Sequence, residues 1–369
     1  MIRSLAFALT TGAAALLLSG CQFGTKVVEQ TGPRGTGMDQ VVDKDDVVKA
    51  SVVPPPPYEL TPDMRQGERA GTAYQNVKVL GDLSVDEFNY TMAAITEWVS
   101  PEQGCNYCHN PENMASDAIY TKVVARKMFQ MTRTINANWQ PHVNAGGKQV
   151  GVTCWTCHRG NNVPVNSWSM AKADGNTITG NKHGQNTPLR SVAFASLPYD
   201  PFSTYLQGAN NIRVASNSPY ASKNHVVPIQ SAERTYALMM HSSQALGVNC
   251  TYCHNTHSFR SWSDARPQRV TAWYGYRMVR QINNEYITAL NGVWPAKRLG
   301  PAGDPYKVNC TTCHQGVNKP MNGYPMLKDY PGLAGPAQPA VAAAPPLPAG
   351  AQAASAATAF ALPARTPAG

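Results

Sequence analysis

Apolar positions are spread unevenly along this chain, and their spacing gives a first map of it. Leu5 to Leu18 is an almost continuous apolar run behind Arg3, too short for a comfortable membrane-spanning helix and of the length of a secretory signal. Residues 22 to 58 are polar and end in Pro54-Pro55-Pro56-Pro57, which predicts a spacer that stiffens toward its proline end. Helix-like stretches follow. Ser84-Val85-Asp86-Glu87 is a capping box that opens the first of them, and Ser231 is expected to open its counterpart later in the chain. Residues 331 to 369 are almost all Ala, Pro and Gly and hold too little apolar surface to order themselves. No stretch after the leader is long and apolar enough to span a bilayer.

Cysteine chemistry changes this picture most. Eight of the nine cysteines lie in four Cys-x-x-Cys-His motifs: Cys105, Cys108 and His109; Cys154, Cys157 and His158; Cys250, Cys253 and His254; Cys310, Cys313 and His314. Each is the attachment signature of c-type haem. The two thiols add to the porphyrin vinyl groups, and the adjacent imidazole turns onto the iron. A lone Cys-x-x-Cys also suits zinc or a redox dithiol, but four copies each followed at once by His point to four covalent haem c groups. Only 14% of the 369 residues are charged, and Gly and Pro contribute 29 each, so much of the chain is expected to be irregular around the porphyrins.

The elements repeat. Motifs one and two are 49 residues apart and motifs three and four are 60 apart. Each pair has a helical stretch, a motif, a second helical stretch, a loop and another motif. Met131-Thr132-Arg133-Thr134-Ile135-Asn136 matches Met278-Val279-Arg280-Gln281-Ile282-Asn283 at four of six positions. The expected fold is mainly α with extensive irregular structure, a multihaem c-type cytochrome built from two duplicated two-haem units. Its segments are a lipoprotein signal at 1–20, a lipidated N-terminus and spacer at 21–58, units at 59–165 and 226–328 joined by 166–225, and an Ala/Pro-rich tail at 329–369.

Each motif His supplies the fifth iron ligand, and electron-transfer haems take Met or His as the sixth. Met92 lies 13 residues before Cys105 and Met239 lies 11 before Cys250; the nearly equal offset argues for ligands rather than core packing. Met240 rivals Met239, and Met128 and Met131 compete for haem two. This layout, over roughly residues 60 to 326, resembles the tetrahaem cytochrome subunit of purple-bacterial photosynthetic reaction centres. The resemblance implies Met92 as ligand of haem one, Met128 of haem two, Met239 of haem three and His142 of haem four. The internal alignment supports the last assignment separately: if Met131 pairs with Met278, Met128 pairs with Gly275, so the second half lacks a methionine at that position and has room for an imidazole. Met131 and Met278 are then core residues. His183, His225, His241 and His257 have no matching role and read as surface or hydrogen-bonded.

The ninth cysteine ends Leu18-Ser19-Gly20-Cys21, a lipobox that makes Cys21 the lipidated first residue of an exported chain; a retained, uncleaved leader is the alternative. Export suits thioether haems, which are made outside the bacterial cytoplasm. The net charge is +9, yet Val79 to Thr121 has no Lys or Arg and carries Asp82, Asp86, Glu87, Glu97, Glu102, Glu112 and Asp117. That window suits docking of a basic donor, although an ordinary solvated helix face fits it equally. No basic cluster interleaves with aromatics, so nucleic acid is not an expected partner. The resemblance implies a non-enzymatic electron relay on the periplasmic face of the bacterial inner, photosynthetic membrane. It would run from a soluble basic cytochrome c2-type donor or a high-potential iron–sulfur protein to the reaction centre core subunits and their bacteriochlorophyll special pair. It also implies that haem three is nearest the pigment and haem one faces the donor. The runner-up readings are a nitrite- or hydroxylamine-type multihaem oxidoreductase and a lipoprotein relay to another complex.

Overall fold

The computed structural model describes residues 24–30 and 39–335, apart from 146, 149, 171–189, 199, 213 and 215–228. The leader with Cys21, His183, His225 and residues 336–369 lie outside the described residues. The chain divides between Val52 and Val53 into two compact units.

In the first unit, strands β1 (Lys26–Gln30) and β2 (Asp39–Asp43) pair antiparallel, with Val27 opposite Val42 and Val28 opposite Val41. Helix α1 (Lys44–Ala50) follows. A spacer without secondary structure was expected here. The β-branched pairs favour a pleated ribbon instead, and Asp43 serves both elements. Its carboxylate accepts from Lys26 Nζ at 2.8 Å and caps α1 by accepting from the Asp45 amide at 3.3 Å. Pro54 to Pro57 have no regular structure.

The second unit alternates helices with long irregular connections. Its labelled helices are α2 (Val85–Val99), α3 (Tyr120–Asn138), α4 (Cys154–His158), α5 (Ile229–Leu246), α6 (Pro267–Gln281) and α7 (Cys310–His314). Among the described residues no helix is long and apolar enough to cross a membrane. Ser84 caps α2 as expected, its hydroxyl accepting from the Glu87 amide at 3.1 Å. Helix α5 starts at Ile229 rather than at Ser231, so Ser231 sits in its first turn. Two clusters form the core. One gathers α3, α5 and α6 around Leu238, Met278 and Ile282 with Phe202, Tyr205 and Leu206. The other packs Tyr90, Ala94 and Trp98 of α2 against Phe129, Leu327, Tyr330 and Leu333. The expectation that residues 331 onward stay outside the fold fails at its edge. Pro331–Leu333 forms a tight turn, and Leu333 is 0% exposed.

The hydrogen bonds that seat equivalent elements recur. Asn136 at the end of α3 donates Nδ2 to the Val152 carbonyl at 2.9 Å and accepts from the Val152 amide at 2.7 Å. Asn283, just past α6, makes the same two bonds to Val308, at 2.9 and 2.8 Å. Val152 and Val308 each stand two residues before a motif cysteine, so these buried amides hold the approach to α4 and α7. Both motif helices open with a capping box, Thr153 with Thr156 and Asn309 with Thr312. Both close on a left-handed residue, Arg159 or Gln315. The following Gly160 and Gly316 amides then donate to Trp98 O in α2 at 2.9 Å and to Ala245 O in α5 at 2.8 Å.

Candidate haem sites

Motifs one and three sit on short 3-10 turns, Gly104–Tyr107 and Cys250–Tyr252, with Cys105 and Cys250 exposed. The His109 and His254 amides return to the carbonyls of Cys105 and Cys250 at 2.9 and 3.0 Å. Motifs two and four form α4 and α7, and Cys154 is buried. The four motif histidines share one device that sequence reading missed. Nδ1 of His109 and of His254 donates to a carbonyl five residues on, Met114 O at 3.0 Å and Phe259 O at 2.9 Å. Nδ1 of His158 and of His314 donates to one three residues on, Asn161 O at 2.8 Å and Val317 O at 3.0 Å. A carbonyl on Nδ1 fixes the tautomer and leaves the Nε2 lone pair for a metal. Main-chain acceptors leave no trace in residue type, so composition and spacing do not reveal them. Burial adds to the effect by disfavouring the charged imidazole. It lowers the His158 and His254 pKa values, and together with the neighbouring His142 it brings His314 down to about 4. Burial also pushes the thiols of Cys154 and Cys310 up to about 12.

A cavity of about 770 Å³ runs through the first half. It brings together all the first-half attachment residues, Cys105, Cys108, His109, Cys154, Cys157 and His158, with Met92 and Met128 on its walls. Met131 and Met278 also border it, while packing against the first core cluster as expected of core residues. The cavity reaches Cys313 of motif four, whose sulfur lies 2.9 Å from that of Cys157. Motifs two and four therefore meet at their attachment edges. Met239 and Met240 are adjacent and half-buried on α5; Met239 packs on the first cluster.

His142 lies in the short helical turn Gln140–Val143 and crosses to the second half. Its Nδ1 donates to Thr271 O on α6 at 2.9 Å, and its ring centroid is 6.0 Å from that of His314. A Cβ on Gly275 would lie 2.6 Å from His142 Cε1, so the imidazole occupies the volume that a side chain there would need. A metal ion sits about 2 Å from an imidazole nitrogen, which puts two imidazoles bound on opposite sides of one ion with centroids about 6 Å apart. The chain's donor set and spaces thus fit covalent haem. Burial lowers the His142 pKa as well. His241 is 2% exposed, donates Nδ1 to Ser191 O at 3.0 Å and is pushed down to about 4 by burial; it is a hydrogen-bonded core residue. His257 is exposed.

The acidic window is less free than its composition implies. Asp82 forks onto Arg133 at 2.7 and 3.0 Å. Asp117 is held well below the usual carboxylate range, chiefly by its hydrogen bond from Arg126. Glu87 is 8% exposed and its carboxyl is raised by burial. Asp86, Glu97, Glu102 and Glu112 remain exposed, the last three close in sequence to Cys105.

Paired thiols next to an imidazole with a free Nε2, opening on large apolar space, define a c-type cytochrome. Residues 23–334 match the family described as photosynthetic reaction centre cytochrome C subunit, and the chain belongs to that family. It is 50% identical over 336 residues to the photosynthetic reaction center cytochrome c subunit of Rubrivivax gelatinosus, covering 90% of this chain and 88% of the relative. The Thermochromatium tepidum protein of the same name is 48% identical over 320 residues, covering 87% of this chain and 78% of the relative. That of Roseobacter denitrificans is 41% identical over 335 residues, covering 88% and 89%. The chain is accordingly an electron-transfer subunit of the reaction centre with covalently bound haem c.

Proposed function

We propose that the chain carries four haems and relays single electrons from a soluble donor to the photo-oxidised special pair. The motif cysteines would attach the groups, and the residues that would hold the irons are Met92 with His109, Met128 with His158, Met239 with His254, and His142 with His314. The observation that carries this reading is the approach of His142 to His314 over Gly275, which supplies a sixth ligand where the second half has no methionine at that position. Matched hydrogen bonds favour Met239 over Met240. Counting six residues back from Trp98, which receives Gly160, reaches Met92; six back from Ala245, which receives Gly316, reaches Met239. The same matches support a duplicated two-haem unit.

When bound, haem iron supplies a one-electron couple whose potential its axial ligands tune. The residues fix that couple and make no bonds to substrate. The carbonyls on the four motif Nδ1 atoms orient the imidazoles, and the buried asparagines hold motifs two and four. Glu97, Glu102 and Glu112 form the docking face for a basic cytochrome donor, with a high-potential iron–sulfur protein as the alternative partner. Lipid on Cys21 tethers the chain to the periplasmic face of the membrane. Flash excitation of the purified complex tests the relay: haem oxidation should follow photo-oxidation of the pigment. In the isolated chain, three haems should show Met–His and one bis-His ligation. A high-spin haem that binds nitrite or cyanide readily overturns the relay in favour of an enzyme.

A further inference from the structure

Two short segments tie the halves together crosswise. One, residues 200–208, comes after motif two in the chain and includes Leu206-Gln207-Gly208; the other, residues 326–335, comes after motif four and ends Leu333-Ala334-Gly335. Each hydrogen-bonds to the second helix of the opposite half. Arg133 of α3 donates Nε to Gly332 O at 3.0 Å, and Asn136 donates Nδ2 to Leu333 O at 2.9 Å. In the other half Arg280 of α6 donates Nη2 to Tyr205 O at 3.0 Å, and Asn283 donates Nδ2 to Leu206 O at 2.8 Å. The partners run in the same order, arginine to the residue before the leucine and asparagine to the leucine. Both leucines are 0% exposed.

The crossing extends to the first helices and to the motifs. Tyr330 packs its ring on Tyr90 and Trp98 of α2, with centroids 5.2 and 4.6 Å apart. Tyr205 places its hydroxyl 2.7 Å from Thr235 of α5. After motif four, the Met326 sulfur accepts from Thr153 and Thr156 at 3.5 and 3.6 Å, the two threonines that cap the motif-two helix. After motif two, Asn166 O accepts from Thr312 at 3.0 Å, in the cap of the motif-four helix.

We propose that these segments are exchanged straps, and that with Arg133, Asn136, Arg280 and Asn283 they position the second haem of the half they do not follow. The reasoning passes through the asparagines. An amide group offers two N–H donors and an acceptor oxygen, and Asn136 commits all of them: Oδ1 and one N–H to Val152, the other N–H to Leu333. The strap and the residues leading into Cys154 therefore share one rigid side chain. Asn283 joins Leu206 to Val308, ahead of Cys310, in the same way. A strap that shifts takes the opposite motif with it, and with that motif the angle of its imidazole.

This inference rests on the four-haem reading, so the wild-type chain is measured first, by haem content and by a potential titration that separates the bis-His haem from the Met–His ones. Leu333→Ala and Leu206→Ala are then made in the full-length, haem-loaded protein. Leu333→Ala should shift the midpoint of haem two and leave haem four unmoved. Leu206→Ala should shift haem four and leave haem two. Leu333→Met and Leu206→Met, which keep side-chain volume, should restore the wild-type values. Each strap moving the haem it follows, both variants moving both haems alike, or neither moving any would overturn the exchange. If Leu333→Ala does not accumulate, the same crossed pattern is sought in the milder Leu333→Val and Leu206→Val. A wild-type haem count other than four would sink the underlying reading rather than the straps.

Discussion

Helix α3 carries Arg133 and Asn136, and α6 with the turn just past it carries Arg280 and Asn283, at the same spacing and in the same hydrogen-bonding roles, yet five residues before the arginine one has Met128 and the other Gly275. Loss of the anchoring groups would leave buried strap carbonyls, and the Val152 and Val308 amides, without partners, which costs about 1–3 kcal/mol each. The position five residues before the arginine has no such constraint. There the second half holds no side chain, and the imidazole of His142 enters from the first half to within a Cβ's reach of Gly275. The anchoring bonds are alike in the two halves while this position differs, because different interactions hold them.

The largest expected effect comes from erasing this difference. His142→Ala should leave haem four without its sixth ligand and turn it high-spin and open to cyanide, as seen in its absorption and electron paramagnetic resonance spectra. Adding Gly275→Met recreates the arrangement of α3. The double variant should return to low spin with Met–His character. Its midpoint should rise by on the order of 100 mV, a fraction of the roughly 0.8 V that axial ligands command. A double variant that stays high-spin breaks the equivalence of Met128 and Gly275.

Gly275→Ala alone is a smaller disturbance. Its Cβ would meet the His142 ring at 2.6 Å, closer than carbon atoms pack, so the imidazole must tilt or α6 must move. Haem four should change its midpoint and its low-spin spectrum while haem two does not respond. Met128→Ala would remove a ligand instead, so alanine should be a partial fault in one half and a complete one in the other. An unchanged haem four would show that the space above Gly275 is slack.

Much of this geometry was legible in the sequence and some was not, for physical reasons. The Ser84 cap, the four motifs and the room at Gly275 depend on residue type at fixed spacing, and such patterns are visible in one dimension, while the family resemblance pointed to His142 as the imidazole. The carbonyls that orient the motif histidines are main-chain groups that every residue owns. Leu333 sits in an Ala/Pro-rich stretch whose composition argues for disorder, and it is ordered by the partner surface of Tyr90, Trp98 and Phe129 rather than by its own neighbours. The hairpin around Val27 and Val42 depends on cross-strand pairing between two short polar-flanked runs. Charge counted along the chain overstates the free acidity of the window around motif one, because it ignores Arg133 and Arg126, which pair with Asp82 and Asp117 from α3.

The two arginines separate the halves again, at smaller magnitude. Arg133 is 0% exposed and adds a forked ion pair with Asp82 to its bond with the strap. Among the described residues Arg280 has no carboxylate partner and bonds to the Tyr205 carbonyl. Charge-assisted bonds contribute about 1.5–3 kcal/mol, and the Asp82 side chain, 39% exposed, recovers some hydration when released. Arg133→Ala should therefore cost about 3 kcal/mol in urea unfolding and Arg280→Ala about 1–2 kcal/mol. Equal costs would show that the strap bond rather than the ion pair dominates in both halves.

The smallest effect concerns the charge around the first motif of each half. Glu97, Glu102 and Glu112 are exposed about motif one; Arg260, Arg266 and Arg269 follow motif three, and Arg260 is exposed. A basic donor should be drawn to the first and repelled from the second. Reversing the three glutamates to lysine should lower the donor's association rate by about tenfold at low ionic strength, within the range that steering commands. The difference should fade as salt rises past about 0.1 M, where screening acts within about 10 Å. Arg260→Glu should leave the rate unchanged if docking is confined to the first half. Flash-induced oxidation of the haems should be indifferent to all these changes, because that step lies within the complex and does not wait on encounter. A donor rate insensitive to both the glutamates and salt would assign docking to apolar contact. Exposed Met114, in the loop between Cys108 and α3, is then the residue to change next.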